Sequence, residues 1–250
     1  ERVTVRVTDD AGGIAETPFS IVVANAAPLL SQLGATTVSE GSHTVFFGTL
    51  RDGGRGDAFT LDINWGDPLS PGNLERVNLA PSRDGIQDFF FAHRYLDGAP
   101  GVDRTIVATA TDSDGGSNTG SVQVTVDNAA PVLSNLQATA ASENGFASLT
   151  GLIRDAGVLD SFTLDIDWGD PLAQDNLQRV NIAPDAVGAQ NFGVVHRYLD
   201  NPVAGAYVVT ANVTDKDGGT AVTSTGVVVA NVAPALGNLQ ATGIDENGAT

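Results

Sequence analysis

The 250-residue sequence has no cysteine and no methionine, and Lys216 is the one lysine beside eleven arginines. Without cysteine no disulfide can stabilise the fold, so stability has to come from a packed core, from repetition or from bound metal. No apolar run approaches the ~18 residues that span a bilayer. No signal peptide is visible, and the chain opens in mid-pattern at residues 1–5, so we expect an internal piece of a longer protein.

Positive charge is also scarce. Thirty acidic residues face twelve basic ones, which gives a formal net charge of −18. Binding to nucleic acid or to an anionic membrane surface needs clustered lysine and arginine, so we expect neither partner, and no membrane insertion in this segment. An acidic balance of this kind fits a chain kept soluble by self-repulsion, or one that holds divalent cations.

The strongest signal in the sequence is internal repetition. Four motifs recur at a spacing of 103 residues without a gap. Asn25-Ala26-Ala27-Pro28 recurs at 128–131 and, with Val232 as its second residue, at 231–234; Trp65-Gly66-Asp67-Pro68 recurs at 168–171, 93–97 at 196–200, and 111–116 at 214–219 with Lys216 in place of Ser113. This period exceeds the ~20–50 residues of solenoid units and suits a string of domains. The sequence therefore predicts the end of one repeat (1–25), two full repeats (26–128 and 129–231) and the start of another (232–250).

Within a repeat the apolar period is two, which is typical of β-strands. Phe59, Leu61, Ile63 and Trp65 alternate with polar residues, and similar alternation runs through 3–7, 106–110 and 209–213, with a last strand at 21–23, 124–126 and 227–229. Clusters of Gly, Pro, Asn and Asp separate these runs. We expect an all-β fold of tandem immunoglobulin-like antiparallel β-sandwiches in an extended array. The strands of the second copy are predicted near 132–141, 146–153, 161–168, 177–182, 190–197, 206–213 and 221–230.

The motifs resemble those of the PKD (polycystic kidney disease) family of immunoglobulin-like domains. The resemblance lies in 166–171 (Ile-Asp-Trp-Gly-Asp-Pro), His196-Arg197-Tyr198, 205–209 (Gly-Ala-Tyr-Val-Val) and 215–218 (Asp-Lys-Asp-Gly). The departures are Ile, Trp and Pro where the family has Trp, Phe and Gly, and a longer repeat. The resemblance implies PKD-like tandem repeats of a bacterial surface or secreted protein, in which such domains serve as spacers or interaction modules.

Catalytic signatures are not found in the sequence. The histidines are His43, His93 and His196, and His43 aligns with Phe146 in the next copy. His93 and His196 each precede a tyrosine by two residues at a strand end, so we interpret them as packed in the sandwich. No nucleophile, metalloprotease, phosphate-loop or dinucleotide motif is present. The expectation is a protein that is not an enzyme.

Carboxylates are the residues that point most clearly to a ligand. The loops of such a sandwich are expected to gather acidic side chains at the two ends that meet at the junction 128–131. The predicted calcium ligands there are Glu40, Asp97, Asp127, Asn128, Asp155, Asp215 and Asp217, with Asp67 and Asp160 in the same loops. The second copy adds Glu143, Asp200 and Asn231, and the first junction adds Asn25, Asp52, Asp112 and Asp114. Calcium takes 6–8 oxygen ligands, so the hypothesis is an interdomain calcium ion that stiffens the array, with a logic similar to that of cadherins.

A structural alternative accounts for the same aspartates. The Asp-x-Asp-Gly-Gly loops can form Asx-turns before a glycine at positive φ, and Asp67 and Asp170 can cap backbone N–H groups. Asp127 aligns with alanine in the other copies, and Ala11 replaces one loop aspartate. The tripeptide Arg55-Gly56-Asp57 aligns with Val158-Leu159-Asp160, so we interpret it as a chance match to an integrin motif.

The sequence as a whole favours a non-catalytic extracellular or cell-surface stalk with an adhesive role, whose partners are neighbouring repeats of the same chain and a surface glycan or protein. The alternative is an accessory carbohydrate- or protein-binding module of a secreted hydrolase. A carbohydrate-binding face needs exposed coplanar aromatics, and none is evident in the sequence. Trp65 and Trp168 continue the apolar faces of their strands and are predicted to lie in the core.

Overall fold

A computed structural model describes residues 2–54, 56–203, 205–241, 243 and 246. Their regular structure consists of β-strands without a helix, which confirms the all-β fold class. The chain divides into two compact units, Glu1–Asn128 and Ala129–Thr250. No membrane-crossing helix is found among the described residues.

The first unit opens with a hairpin, β1 (Arg2–Thr8) and β2 (Ile14–Ser20), and continues as a sandwich. One sheet has the order β3-β5-β8 and the other β4-β10-β9-β6-β7. The bounds are β3 (Leu29–Ala35), β4 (Val38–Ser39), β5 (His43–Arg51), β6 (Phe59–Asn64), β7 (Leu74–Leu79), β8 (Ile86–Arg94), β9 (Asp103–Asp112) and β10 (Ser117–Asp127). All pairs are antiparallel except the short parallel contact of β4 with β10.

The second unit repeats this plan. Its sheets have the orders β11-β13-β16 and β15-β14-β17-β18, with a short parallel pair β12-β19. The bounds are β11 (Val132–Ala138), β12 (Ala141–Ser142), β13 (Gly145–Arg154), β14 (Phe162–Asp167), β15 (Leu177–Ile182), β16 (Ala189–Tyr198), β17 (Tyr207–Asp215), β18 (Thr220–Val227) and β19 (Val229–Ala230). The strands predicted for this copy therefore agree with the structure to within a few residues. Both copies also place a bulge in the first long strand, where Gln32 and Asn135 have positive φ.

Each unit has its own core, formed by the side chains that alternate inward from two facing sheets. In the first unit β6 buries Phe59, Leu61 and Ile63, and the core extends to Phe46 and Phe89 of the opposite sheet. The second unit buries the equivalent set around Phe162, Leu164 and Ile166. Burial of this apolar surface is the main favourable contribution to folding.

Two details of the predicted strands are wrong. Val5 and Val7 alternate correctly in β1 but remain 50% and 63% exposed, because the β1–β2 hairpin has no facing sheet among the described residues. Ile21 and Val23 lie beyond the end of β2 and are exposed, whereas the equivalent Val124 and Val126 are buried in β10. Apolar alternation forms a buried strand only where a second layer covers it.

A tight turn follows the core tryptophan of each unit. It connects β6 in the first unit, and β14 in the second, to the loop that comes next. Gly66 has φ +70°, and a Cβ at this position would lie 2.5 Å from the carbonyl oxygen of Thr105. Gly169 repeats both features, with φ +68° and a Cβ-to-oxygen distance of 2.4 Å at Val208. Glycine is required at both positions, because a side chain would strain the turn and collide with backbone.

We predict that Gly66→Ala destabilises the first unit by about 3 kcal/mol or more, because left-handed strain and a backbone clash act together. The matched control is Gly101→Ala, which has a similar φ of +73° and no atom within 4 Å of an added Cβ, and should cost only about 1–2 kcal/mol. Urea unfolding followed by tryptophan fluorescence measures both losses. Equal losses in the two variants would show that the close approach to Thr105 is unimportant.

Candidate metal site

Two loops at one end of the first sandwich, β5–β6 and β9–β10, bring three aspartates together. Asp52 follows β5, Asp57 lies two residues before β6, and Asp112 is the last residue of β9. Phe59 and Asp112 are register partners, so the pairing of β6 with β9 brings the loops that carry Asp57 and Asp112 together. One carboxylate oxygen of each of the three aspartates lies within 4.8 Å of the other two. We call this group the first cluster.

The second sandwich holds the same group at the equivalent positions. Asp155 follows β13, Asp160 precedes β14 and Asp215 ends β17, and their carboxylate oxygens also lie within 4.8 Å of one another. Asp160 is 1% exposed and Asp215 is similarly buried. We call this group the second cluster. Two copies of one acidic site, 103 residues apart, result from the repetition of the fold.

Part of each cluster serves the loops themselves. Asp112 Oδ1 accepts hydrogen bonds from the backbone N–H groups of Asp114 (3.0 Å) and Gly116 (2.8 Å), and Asp215 Oδ1 accepts the equivalent pair. Asp52 Oδ1 accepts from the Gly54 N–H at 2.6 Å. These are the Asx-turns of the structural alternative, and they occupy one oxygen of the Asp52, Asp112 and Asp215 carboxylates.

Other carboxylate oxygens of the clusters accept no hydrogen bond from the described residues. Asp52 Oδ2, Asp155 Oδ2 and Asp160 Oδ2 are buried and have no hydrogen-bond partner among the residues that the structure describes. A buried carboxylate oxygen without a donor is costly, and a bound cation removes that cost. Carboxylate and amide oxygens are also the ligands that calcium prefers. The residues present therefore fit a hard divalent cation.

Asn25, which follows the β1–β2 hairpin, adds an amide to the first cluster. Its Nδ2 donates to Asp112 Oδ2 at 2.9 Å, and it lines a pocket together with Gly54, Asp57 and Asp114. Four residues predicted at the first junction, Asn25, Asp52, Asp112 and Asp114, therefore lie in one neighbourhood. Sequence reasoning missed Asp57, which was considered only as part of Arg55-Gly56-Asp57. The signal that could have found it is its alignment with Asp160; Arg55 lies outside the described residues.

A charged side chain of the second cluster takes the place of a neutral one in the first. Lys216 of the second unit places Nζ 2.8 Å from Asp160 Oδ1 and also pairs with Asp217. The first unit has Ser113 at this position, whose Oγ lies 3.3 Å from Asp57 Oδ1. Within the part of the chain that the structure describes, the second cluster thus contains a protein cation that the first one lacks.

The pKa values of the cluster aspartates depend on their burial and on these neighbouring groups. Burial raises the pKa of Asp160 to about 6, although the Lys216 ammonium acts in the opposite direction. Burial likewise raises the pKa of Asp155. Burial also opposes ionisation of Asp112, but the Asn25 amide and three backbone N–H groups outweigh it, so the pKa of Asp112 is lowered. Hydrogen bonding to the charged form is the cause of that decrease.

The remaining predicted ligands lie at the other end of each sandwich. Glu40 is buried and its Oε2 accepts from the Gly98 N–H at 2.8 Å, and Asp97 Oδ2 lies 3.9 Å from an Arg104 nitrogen. The backbone carbonyl of Asp127 accepts from the Glu40 N–H, and Asn128 is partly buried. In the second unit Glu143 Oε2 accepts from the Val232 N–H at 2.9 Å, Asp200 Oδ1 accepts from the Asn201 N–H, and Asn231 is exposed. The described contacts at these ends include backbone capping, and the interdomain ion stays a prediction.

The histidines pack as the sequence indicated. His93 stacks on Trp65 with ring centroids 4.9 Å apart, and its Nε2 lies 3.1 Å from Asp67 Oδ2. His196, Trp168 and Asp170 repeat the arrangement, with a stacking distance of 5.0 Å. Both tryptophans are fully buried, as predicted. These imidazoles are held inside the sandwiches.

Comparison with known proteins follows the fold. No protein-family model matches the chain, and no curated protein matches its sequence. Among solved structures the chain is similar to the crystal structure of a tetra-tandem repeat in the extending region of a large adhesion protein, with 18% identity and a TM-score of 0.50; the match covers 91% of this chain and 56% of that chain. A second likeness, to the FN1–FN3 domains of chicken CNTN1, has 13% identity and a TM-score of 0.28, and covers 89% of this chain and 76% of that chain. The first likeness supports the tandem immunoglobulin-like fold, and the PKD resemblance stays a prediction.

The second cluster predicts a specific pH dependence. Folding raises the pKa of Asp160 from 3.8 to about 6, so the folded state binds a proton that the unfolded state has lost. This contribution therefore makes the second unit less stable as pH rises from about 4 to about 6. The variant Asp160→Asn removes it, so in EDTA the stability of the variant relative to wild type should increase across that range.

The measurement is thermal unfolding between pH 4 and pH 7. The control is Asp185→Asn, whose aspartate is an exposed turn acceptor for the Val187 N–H and lies outside the clusters. A difference between Asp160→Asn and wild type that does not change with pH would contradict the assignment.

Proposed function

We propose that this chain is part of an extracellular or cell-surface stalk, in which copies of one non-catalytic sandwich act as spacers and carry an adhesive region outward. The observation that carries the proposal is the faithful copying of a whole domain, including its register, its bulge and its acidic cluster, at a spacing of 103 residues. Reach increases with each added domain, whereas a catalytic site gains little from duplication of its scaffold. The similarity to a repeat of an adhesion protein's extending region supports the same conclusion.

The use of the polar side chains also supports a non-catalytic role. His93 and His196 are the titratable groups best suited to acid–base chemistry, yet each is stacked on a tryptophan and directed at a buried aspartate. A general base has to be within hydrogen-bond reach of a substrate. His93 is only 7% exposed and His196 only 2%. Their rings instead join the two sheets of their own unit.

Calcium is the cofactor that we propose for the first cluster. Asp52, Asp57 and Asp112 would supply carboxylate oxygens, and the Asn25 amide would join them from the end of the preceding repeat. The bound ion would neutralise repulsion among three carboxylates and connect three separate segments of the chain: the β5–β6 loop, the end of β9 and the segment that carries Asn25. Extracellular calcium sites commonly have dissociation constants of ~10⁻⁴–10⁻³ M, so millimolar calcium is the relevant range.

We predict that 10 mM calcium stabilises the first unit by about 1–3 kcal/mol relative to EDTA, which corresponds to several degrees in Tm. Asp57→Asn should abolish most of the shift, because it removes one ligand charge but keeps the shape of the side chain. Asp103→Asn, at the opposite end of β9, should retain it. Differential scanning calorimetry of all three proteins measures the effect. A wild-type Tm that is the same in EDTA and in 10 mM calcium would exclude this cofactor.

The stalk itself is tested by small-angle X-ray scattering of chains with two, three and four copies of the repeat. The radius of gyration of a compact globule grows only as about N^0.38, whereas that of an extended array grows nearly in proportion to copy number. We expect the second behaviour. Growth along the compact curve would rule out a spacer role.

One surface feature favours the second candidate function, an accessory module that binds glycan or protein. Phe47 and Phe90 are cross-strand partners on the outer face of β5 and β8, with ring centroids 6.5 Å apart and planes inclined by 31°. Phe90 is 69% exposed. The sequence did not reveal this pair, because neither residue interrupts the apolar alternation in a recognisable way. Contiguous exposed apolar surface and aromatic side chains are features of binding surfaces.

The second unit provides the control for this candidate, since it has Thr150 and Gly193 where the first has Phe47 and Phe90. The double variant Phe47→Thr, Phe90→Gly copies that surface. We expect wild type to bind components of a neutral glycan array if the module function is correct, and the double variant to lose this binding. An array with no signal above background for wild type would leave the stalk without this second role.

A further inference from the structure

The two acidic clusters have the same aspartates but different immediate neighbours. Positions 52, 57, 112 and 114 are all aspartate, and so are 155, 160, 215 and 217. The change falls between the last two of each set, where Ser113 is replaced by Lys216, the one lysine of the chain. Within the Asp-x-Asp loop this one substitution changes the charge. A second charge difference, Arg55 against Val158, falls between the first two aspartates of each set, and Arg55 lies outside the described residues.

The ammonium of Lys216 lies where it can act as a counter-ion to the carboxylates of the second cluster. Nζ is 2.8 Å from Asp160 Oδ1, and the lysine also pairs with Asp217. The Asp160 side chain is fully buried, whereas that of Lys216 is about one-third exposed. The lysine therefore reaches from the surface into the cluster and delivers its charge to the most buried carboxylate. A buried ion pair of this kind removes much of the need for another cation.

The equivalent place in the first cluster carries no charge. Ser113 offers a hydroxyl 3.3 Å from Asp57 Oδ1, and the nearby amide of Asn25 is also neutral. Asp52 Oδ2 is buried without a hydrogen-bond partner among the described residues. Among the residues that the structure describes, the donors to these three carboxylates are neutral, so the carboxylates retain their mutual repulsion.

We propose that Lys216 is an internal substitute for the metal ion, so that the first cluster requires calcium and the second is kept assembled by its own lysine. This inference rests on the calcium binding proposed above. Repulsion between the ammonium and an incoming divalent ion at the same oxygens would exclude calcium from the second cluster. The buried and unpartnered Asp160 Oδ2 is the atom that a metal ion would recover once the lysine is removed.

The consequence is that adjacent repeats of one stalk respond differently to calcium. A repeat with serine at this position would stiffen only when calcium is present. A repeat with lysine would hold its loops in place at any calcium concentration. The identity of one loop residue would then set which segments of the array are calcium-dependent.

A reciprocal exchange in the full 250-residue chain tests this inference. The variants are Ser113→Lys, which supplies the ammonium to the first cluster, and Lys216→Ser, which removes it from the second. Ser113→Ala and Lys216→Arg are the matched controls, because they leave the charge at each position unchanged. Hydrogen exchange measured by mass spectrometry resolves the two units, with peptides that cover 52–57 and 112–116 or 155–160 and 215–219.

We expect 10 mM calcium chloride to slow exchange in the first cluster of wild type by about tenfold or more relative to EDTA, and to change the second by less than about twofold. Lys216→Ser should make the second cluster calcium-sensitive, and Ser113→Lys should remove the sensitivity of the first. The controls should behave like wild type. Because Ser113 and Lys216 lie in separate units, a folding defect in one variant leaves the result of the other variant informative.

Two results would overturn the inference in different ways. Equal protection of both clusters by calcium in wild type would show that Lys216 does not replace the ion, while calcium binding itself would stand. No protection of either cluster in wild type or in Lys216→Ser would remove the proposed calcium site, and the inference with it.

Discussion

The contact on which each sandwich depends is the packing of its tryptophan between the two sheets. Trp65 ends the inward-facing row of β6, stacks on His93 from the opposite sheet and meets the edge of Phe46 at 6.0 Å. Tyr95 donates its hydroxyl to the Trp65 carbonyl at 2.7 Å, and Asp67 reaches back to His93. One strand end thus connects both layers through aromatic stacking and satisfied buried polar groups, which specify a single arrangement. Trp168, His196 and Tyr198 repeat it.

Fixing the strands in this way has an electrostatic cost at the end of the sandwich. Antiparallel pairing of β6 with β9 places the loop before Phe59 beside Asp112, and the end of β5 adds Asp52. Acidic side chains are therefore collected by the topology itself. Asx-turn hydrogen bonds offset part of the cost, and the buried Asp52 Oδ2 keeps no hydrogen-bond partner among the described residues. In the second unit Lys216 already contributes to that balance.

Much of the fold was predictable from residues alone. The alternation of Phe162, Leu164 and Ile166 predicted β14 to within one residue, and the burial of both tryptophans and the packing of His93 and His196 are confirmed. The exposure of Val5 and Val7 was not predictable, because alternation marks which side chains share a face but not whether a second layer covers it. The exposed pair Phe47–Phe90 was not predicted either, because alternation does not show which face of a strand stays uncovered.

The sequence by itself determined the repeat, its length, the β class and which side chains share one face of a strand, since these depend on local periodicity and on identities 103 residues apart. Only the tertiary structure decided which aspartates share a site. Asp57 and Asp112 are 55 positions apart, and no local pattern relates them until β6 and β9 pair. It also decided that Lys216 points into the second cluster, because the direction of a side chain in a loop is set by the folded backbone around it and not by the order of residues.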